Sequence, residues 1–320
     1  MLGSGNRRED SQRAIHAHLP YVRFGRDVGP RLPLQALGSA LEHLPYQTWR
    51  EFEMGVLGSE HDRHRIEPRY TRSAPVFICV VPVSAESEAR AAVGRSHIAL
   101  LLASAALVPS PSLSVTYLRE GTGVQRFIGP LERDAMIYSE QTVHCTIDQP
   151  LAGRLQRVAQ LLFQSVPALD APEIRFALDA LSNAALVTLT PAEDAAICAV
   201  ALEELVMANE RKNLTSTFGA RVGVLLESDP ARAEQAEALA RAIYAARSDF
   251  VHGRYEGDDT LLEDKSRSPR ALLGRAVLCA LAATMSGLLR PDAVGELGLL
   301  LDQAGATPDL RARLHQFVPL

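Results

Sequence analysis

The sequence predicts an α+β protein in which a mixed α/β N-terminal domain, residues 1–150, precedes an all-α domain, residues 151–320. The first half contains PVFICVVPV (75–83), a short β-branched run bounded by prolines, which is typical of a strand. From Pro150 onward no strand-like run occurs, and small polar residues repeatedly stand one or two places before a proline. Each of these pairs predicts a helix start, because proline suits the first helical position and a preceding Thr, Ser or Asp can cap the free amides.

The N-terminal domain alternates strand-like and helix-like runs. Its first 30 residues show no clear periodicity, and we expect a loosely ordered arm or an edge element there. The run LPLQALGSALEHL (32–44) has helical spacing, and a second helical pattern follows Ser84. Three more strands are predicted in the runs SLSVTYL (112–118), VQRFI (124–128) and VHCTI (143–147).

The C-terminal domain is predicted to be a series of helices. The capping box Thr190-Pro-Ala-Glu193 indicates a helix that runs to about Ala208. The same kinds of signal predict helices from Pro172 to Val187, from about Thr217 to Leu226, from Pro230 to Val251, from Pro269 to Leu289, and in short pieces to the end. Residues 254–269 are expected to form the most polar internal loop of this domain.

The composition excludes several classes of protein. A hydrophobic content of 47% with 22% charged residues is that of an ordinary globular protein. The longest apolar run, residues 98–108, is shorter than the roughly 20 residues of a membrane span, and the N-terminus lacks a signal-peptide pattern, so we expect no membrane association and a cytoplasmic location. The four cysteines stand singly, which favours buried, reduced thiols. A net charge of −5 argues against a dedicated duplex binder but allows a local nucleotide pocket.

Common catalytic and metal-binding motifs are missing from the sequence. It contains no P-loop, no G-x-S-x-G and no H-E-x-x-H pattern. The histidine pairs His16 with His18 and His61 with His64 have no third ligand at a suitable spacing, so solvated segments are favoured over metal sites. We therefore predict neither a bound metal nor a cofactor.

One short stretch, Arg247-Ser-Asp-Phe-Val-His252-Gly, combines chemically active residues with a helix end. A His near the negative C-terminus of a helix and a Gly in the left-handed position after it are explained by helix capping alone. That interpretation leaves Arg247 without a role. Positions five apart lie about 140° around a helix, so a helix end or a partner chain is needed to bring Arg247 and His252 together.

The stretch IYAARSDFVHG resembles the R-x4-6-H motif of the HEPN superfamily. It is most similar to the Apea-like HEPN group, in which an aromatic residue precedes R-S, two or three further residues and H-G. The order of helices is also similar, with ALEELVMANE (201–210), a segment that contains Phe218-Gly-Ala-Arg221, the motif helix, and RALLGRAVLCALAATMSGLL (270–289). A HEPN domain is a bundle of four or five helices. The resemblance to such a bundle covers about residues 170–290, and the N-terminal 150 residues do not share it.

The resemblance implies a metal-independent endoribonuclease whose site forms where two motif copies meet in a homodimer. Arg247 and His252 are then the catalytic residues, and a guanidinium and an imidazole suit phosphate binding and proton transfer. Ser248 and Asp249 are accessory candidates: Ser248 would bind phosphate or orient the His, and Asp249 would fix the His tautomer. Ser248 is also explained as a tolerated polar residue, and Asp249 equally as a carboxylate that faces water. Arg221, Arg211 and Lys212 are candidate RNA contacts, although a solvated face is the favoured explanation of such residues. Glu203 and Glu204 are expected only as structural partners of Arg247.

Proteins of this kind often act as toxins or phage-defence effectors under the control of an antitoxin or a trigger protein, and the resemblance implies such a role. An alternative is a non-catalytic HEPN-like module that dimerises and binds RNA, a nucleotide or a partner protein through the same motif. A purely structural helical scaffold is a third possibility. The acidic net charge favours the binding module, whereas the intact Arg and His favour the enzyme.

Overall fold

The computed structural model of the chain describes residues 14–19, 22–43, 76–80, 86–104, 116–120, 123–126, 145–183, 191–207, 210, 212–253, 269–316 and 318. Most of these residues lie in helices and a smaller part lies in strands, as the α+β class requires. The chain divides into two compact units. The first contains the described residues up to His97 together with those between 116 and 152, and the second contains residues 98–104 and the described chain from Gly153 onward.

The first unit contains the sheets. Its strands are β1 Ala14–Leu19, β2 Val22–Phe24, β3 Arg31–Leu34, β4 Ser39–His43, β5 Val76–Val80, β6 Thr116–Glu120, β7 Gly123–Arg126 and β8 Cys145–Ile147. Six of them form an antiparallel sheet in the order β3-β4-β5-β1-β6-β7, and β2 pairs with β8 in parallel. The strands predicted at 75–83, 112–118, 124–128 and 143–147 are confirmed over the residues the structure describes.

Two predictions for this unit are wrong. Residues 14–19, expected in an arm or edge element, form a strand that pairs on one side with β5 and on the other with β6. The helix expected over 32–44 is instead the hairpin β3–β4, with a short 3-10 turn and Gly38 at a φ of 65° between the strands. Leu32 and Leu34 alternate with exposed neighbours, and this period of two is a strand pattern that the leucine spacing concealed.

A long helix, α1 (Glu86–Ser104), follows β5, as the pattern after Ser84 predicts. The buried side chains of Ala89 and Ala92 pack with Val80, the last residue of β5. Ser96 on the same helix shares a hydrogen bond with Ser39 of β4, with 2.7 Å between the hydroxyl oxygens. This buried polar link and the alanine contacts fix the first part of α1 against the sheet.

The second unit is helical throughout its described residues. Its helices after α1 are α2 Gln149–Gln164, α3 Val166–Leu169, α4 Pro172–Asn183, α5 Pro191–Val206, α6 Leu214–Leu226, α7 Pro230–Val251, α8 Pro269–Met285, α9 Leu297–Ala306 and α10 Pro308–His315, with a 3-10 helix at Pro291–Glu296. The helices predicted from the polar-proline pairs are confirmed, with ends that differ by a few residues. Of the predicted polar loop, residues 254–269, all but Pro269 lie outside the described residues, as do His61 and His64.

Helix α8 is the central helix of this unit. Almost every residue between Pro269 and Thr284 is buried, and α8 packs against α4, α5 and α6. A helix that is apolar on all sides belongs in the interior of a bundle. Its arginines also close the ends of neighbouring helices, because Arg270 donates to the Leu181 carbonyl at 2.9 Å and Arg275 to the Leu226 carbonyl at 2.7 Å.

Helix α7, which carries the Arg-His motif, packs against α5 and α6. The two helices approach closely at Gly223 of α6, where an added Cβ would lie 2.6 Å from the Ala233 carbonyl oxygen of α7. The absence of a side chain at this position therefore allows α6 and α7 to lie backbone against backbone.

The four cysteines are buried thiols, as the sequence predicts. Cys79, Cys145, Cys198 and Cys279 all lie in the interior and take part in no disulfide. Burial raises the pKa of Cys279 to about 12, so this thiol stays protonated and chemically inert. None of the described helices is both long and apolar enough to cross a membrane.

Candidate functional site

The boundaries of α7 follow from local chemistry. The Asp229 carboxylate accepts a hydrogen bond from the Arg232 amide at 3.0 Å, and Pro230 occupies the first turn. At the other end His252 is the C-cap, and its amide donates to the Ser248 carbonyl at 3.1 Å. Gly253 follows with a φ of 66°, the left-handed conformation that favours glycine. The capping explanation of His252 and Gly253 is therefore confirmed for the backbone.

Arg247 lies one turn before that end and points toward α5. Its Nη2 lies 3.5 Å from Oε2 of Glu203, and the two side chains are 29% and 26% exposed. The guanidinium carbon also lies 5.7 Å from the centre of the Tyr244 ring, which is within range of a cation–π contact. Arg247 is consequently held by an acidic partner on one helix and an aromatic ring on its own helix.

Tyr244 lies between the protein core and the ion pair of Arg247 with Glu203. Its ring packs on the fully buried ring of Phe218 with 4.9 Å between centroids, and its hydroxyl donates to Oε1 of Glu203 at 3.3 Å. Burial, together with the neighbouring Glu203 carboxylate, raises the pKa of the Tyr244 phenol, against an opposing effect of Arg247. The phenol therefore remains a proton donor at neutral pH.

The hydrogen-bonding capacity of Arg247 is mostly unused by the protein. Its Nε is buried and has no hydrogen-bond partner within the part of the chain that the structure describes. A guanidinium carries five N–H donors in a planar fork, and here the protein supplies one ion-pair partner at a long distance. With its side chain 29% exposed and its Nε buried, Arg247 can reach an external oxyanion only through its Nη groups.

Arg247 lines an open cavity of about 760 Å³ in the helical unit. Of the described residues that line it, six are carboxylates and Arg247 alone is basic. We call this cavity the acidic pocket, and its carboxylates are those of Glu173, Glu203, Glu204, Glu210, Asp292 and Glu296. Among the described residues no group of three or more His, Cys, Asp and Glu side chains is arranged to hold a metal ion. The carboxylates of the pocket are therefore dispersed around its wall.

The other motif residues lie at the exposed end of α7. Asp249 and His252 are exposed and Ser248 is partly buried, and His252 is not among the residues that line the acidic pocket. Phe250 and Val251 are adjacent apolar side chains that are 38% and 61% exposed. Arg247 and His252 therefore open onto different parts of the surface of a single chain, as their helical spacing implies.

The structure gives Arg221 a structural role instead of the expected RNA contact. Its side chain is 6% exposed, and Nε and Nη2 donate to the two carboxylate oxygens of Asp302 at 2.9 and 2.7 Å. Nη1 donates to the Val206 carbonyl at 3.0 Å, and the Asp302 carboxylate raises the pKa of the guanidinium. A buried guanidinium with these partners links α5, α6 and α9 and has no free face for a phosphate.

The remaining candidate RNA contacts lie near the start of α6. Lys212 is exposed there, whereas Arg211 is outside the described residues. A second, shallow cavity of about 300 Å³ is lined by residues 213–216 and by Arg241. Arg241 is paired with Glu237 of the same helix, so its charge is partly neutralised.

The sequence interpretation placed Glu203 near Arg247 but did not assign Tyr244 a role. The sequence spacing does predict a contact between Tyr244 and Arg247, because the two are three positions apart and such residues share a helix face. The acidic pocket was not foreseen. Its carboxylates come from α4, α5, the segment after α5 and the 3-10 helix, and no sequence spacing connects these segments.

Comparisons with protein-family models, with curated proteins and with solved structures find no match for this chain. The chemistry of the site is therefore argued from its own residues, above all from the contacts of Arg247.

Proposed function

We propose that the protein is a metal-independent endoribonuclease of the HEPN type, with a HEPN-like bundle in its C-terminal domain. The observation that carries the proposal is the state of Arg247. It is a partly exposed guanidinium held by one long ion pair, and it stands five positions before an exposed His252 at the end of one helix. A structural arginine in the same bundle, Arg221, has its donors bound to protein acceptors. This contrast supports a role for Arg247 toward an external phosphate.

The proposed reaction uses the ribose itself as the nucleophile. One His252 accepts the proton of a 2′-hydroxyl, the 2′-oxygen forms a bond to phosphorus, and the bond between phosphorus and the 5′-oxygen breaks. A second His252 donates a proton to the departing 5′-oxygen. Arg247 binds the nonbridging oxygens and stabilises the charge that develops on them. The products are a 2′,3′-cyclic phosphate and a 5′-hydroxyl.

A homodimer supplies both copies of the motif. Two-fold pairing would place two Arg247 and two His252 side chains around one phosphate, which a single α7 does not do because the two residues face different directions. The exposed apolar side chains of Phe250 and Val251, next to the motif, support a contact between copies at this end of α7. Ser248, Asp249 and Lys212 remain accessory candidates. The proposed setting is a cytoplasmic toxin or phage-defence effector regulated by an antitoxin or a trigger protein.

A second candidate function is a non-catalytic HEPN-like module that dimerises and binds RNA, a nucleotide or a protein. The acidic pocket favours the protein-binding form of this module, because six carboxylates around one arginine repel polyanions such as RNA in the isolated chain. The nuclease proposal requires that the second copy or other basic side chains offset this repulsion.

Incubation of the purified full-length protein with mixed RNA in EDTA separates these candidates. Cleavage supports the nuclease, and retention of RNA without cleavage supports the binding module. Absence of both cleavage and retention would contradict an RNA-directed function. Arg247→Ala, assayed in parallel, shows whether any cleavage belongs to this site rather than to a contaminating nuclease.

A further inference from the structure

We infer that Glu203 is a positioning residue for Arg247, with Tyr244 as the side chain that orients its carboxylate. The inference rests on the proposed function, since it assigns Glu203 a role in the same reaction. Glu203 lies on α5, whereas Arg247 and Tyr244 lie on α7, so the guanidinium is held by a helix other than its own.

The two carboxylate oxygens of Glu203 have different partners. Oε2 faces Nη2 of Arg247 at 3.5 Å, and Oε1 accepts the hydrogen bond from the Tyr244 hydroxyl at 3.3 Å. Tyr244 is itself fixed, because its ring packs on Phe218 in the core. The buried packing of Tyr244 therefore fixes the Glu203 carboxylate, and the carboxylate in turn fixes the Arg247 guanidinium.

Because the acidic pocket holds other carboxylates, the Arg247 guanidinium needs Glu203 to keep it in place. An arginine side chain has several rotatable bonds, and five further carboxylates line the cavity into which Arg247 opens. Without the charge of Glu203 the guanidinium is free to turn toward those carboxylates and away from a bound phosphate. The long Nη2–Oε2 distance also leaves the ion pair weak enough to share Arg247 with a phosphate.

Loss of a positioning carboxylate and loss of a repelling carboxylate change the kinetics of RNA cleavage in different ways. Neutralising any acidic residue near the site weakens the repulsion of RNA, which lowers KM or leaves it unchanged. Displacing Arg247 lowers kcat, because a misplacement of about 1 Å at a catalytic group can reduce the rate roughly 100-fold. Of these two effects, only the displacement of Arg247 predicts a fall in kcat without a rise in KM.

The test compares Glu203→Gln with Glu204→Gln in the full-length protein. The two substitutions remove the same charge from adjacent positions of α5. Glu204 is exposed, lines the same cavity, and forms no ion pair or hydrogen bond with another described residue. In Glu203→Gln the introduced amide oxygen can still accept the Tyr244 hydroxyl, so the variant changes charge with little change of shape. The kinetics of RNA cleavage in EDTA and the melting temperature are measured for the parent and both variants.

For Glu203→Gln we expect kcat to fall by about 10-fold to 100-fold, with KM equal to or below that of the parent. Glu204→Gln is expected to keep the parental kcat. Glu203→Asp, which keeps the charge on a shorter side chain, should recover part of the lost kcat, and Tyr244→Phe should lower kcat less than Glu203→Gln does.

Three results would overturn the inference, and they differ from one another. A parent that cleaves RNA together with a Glu203→Gln variant of unchanged kcat leaves the nuclease in place and removes the role of Glu203. A parent that does not cleave RNA removes the proposed function, and the positioning role with it. If kcat falls only as far as the melting temperature predicts the folded fraction to fall, Glu203 is a structural residue and the inference is likewise wrong.

Discussion

Glu203 and Arg247 form an ion pair between α5 and α7, with Oε2 and Nη2 3.5 Å apart. The pair is shared with Tyr244, whose hydroxyl binds the second oxygen of the same carboxylate. The position of Arg247 therefore depends on the packing of two helices and not only on the motif that contains it.

Replacement of Arg247 should separate charge from geometry in the reaction. Arg247→Ala removes both, and we expect cleavage to fall by roughly 100-fold to 1000-fold, as for the loss of one charge-stabilising donor. Arg247→Lys keeps the charge but loses the planar fork, so it should recover only a small part of the rate. Steady-state cleavage of a fluorescent RNA measures both variants. The melting temperature should change little, because a partly exposed ion pair contributes under about 1 kcal/mol. Parental activity in Arg247→Ala would show that this arginine takes no part.

Replacement of His252 should abolish cleavage without unfolding the protein. His252 is exposed at the end of α7, and its structural contribution through the helix dipole is about 1 kcal/mol or less. We expect His252→Ala to lack measurable RNA cleavage and to keep both its dimer mass in light scattering and nearly the parental melting temperature. A His252→Ala variant that cleaves at the parental rate would contradict its assignment as the proton-transfer residue.

Arg221 should affect stability rather than RNA binding. Arg221→Gln loses the paired bonds to Asp302 and leaves the Val206 carbonyl poorly satisfied, so we expect a loss of about 2 kcal/mol in the free energy of unfolding. Lys212→Gln is the matched control, because Lys212 is exposed and its loss should leave stability unchanged. Urea unfolding measures both. Equal stabilities of the two variants would mean that the buried contacts of Arg221 contribute nothing.

His315 should make stability depend on pH. Burial lowers the pKa of this imidazole, and Arg311 and Arg275 act in the same direction, whereas the hydrogen bond to the Val224 carbonyl and the charge of Glu227 act against them. As the pH falls below about 6.5, the unfolded chain binds a proton that the folded chain does not, so the free energy of unfolding decreases.

The variant His315→Gln tests this pH dependence. Its side-chain amide can still donate to the Val224 carbonyl, but it has no imidazole to bind a proton. Urea unfolding between about pH 7 and pH 5 should therefore show a smaller loss of stability than in the parent. Identical pH dependence in the two proteins would exclude a contribution from His315.

The close packing of α6 and α7 is tested by adding one methyl group. Gly223→Ala would place a Cβ 2.6 Å from the Ala233 carbonyl oxygen, and we expect a loss of about 1 to 3 kcal/mol in the free energy of unfolding. Gly94 lies within α1 with open space around it, so Gly94→Ala should instead stabilise by about 0.5 to 1 kcal/mol. A stabilised Gly223→Ala variant would show that the two helices do not approach as closely as the structure indicates.

Much of the helical unit was predictable because its signals are local. Polar-proline pairs mark helix starts whatever the surroundings, and α7 begins at Pro230 and ends at Val251 as the sequence predicts. The capping of His252 and Gly253 is equally local and was also foreseen.

Features that depend on distant segments were not predictable in the same way. The hairpin at residues 31–43 was mistaken for a helix because leucines at 32, 34, 37 and 41 fit either period, and pairing with β5 decides between them. The burial of Arg221 depends on Asp302 of α9, which sequence spacing does not reveal. The acidic pocket combines residues from four segments, so only the folded chain brings its charges together.

The motif is proposed to cleave RNA through the ribose 2′-hydroxyl. The most direct test is the chemistry of the ends left by the purified protein on a defined RNA oligonucleotide in EDTA, determined by mass spectrometry. We predict fragments with 2′,3′-cyclic phosphate and 5′-hydroxyl ends, formed by the parent and not by His252→Ala. Fragments with 5′-phosphate and 3′-hydroxyl ends, or cleavage that persists in His252→Ala, would contradict the account.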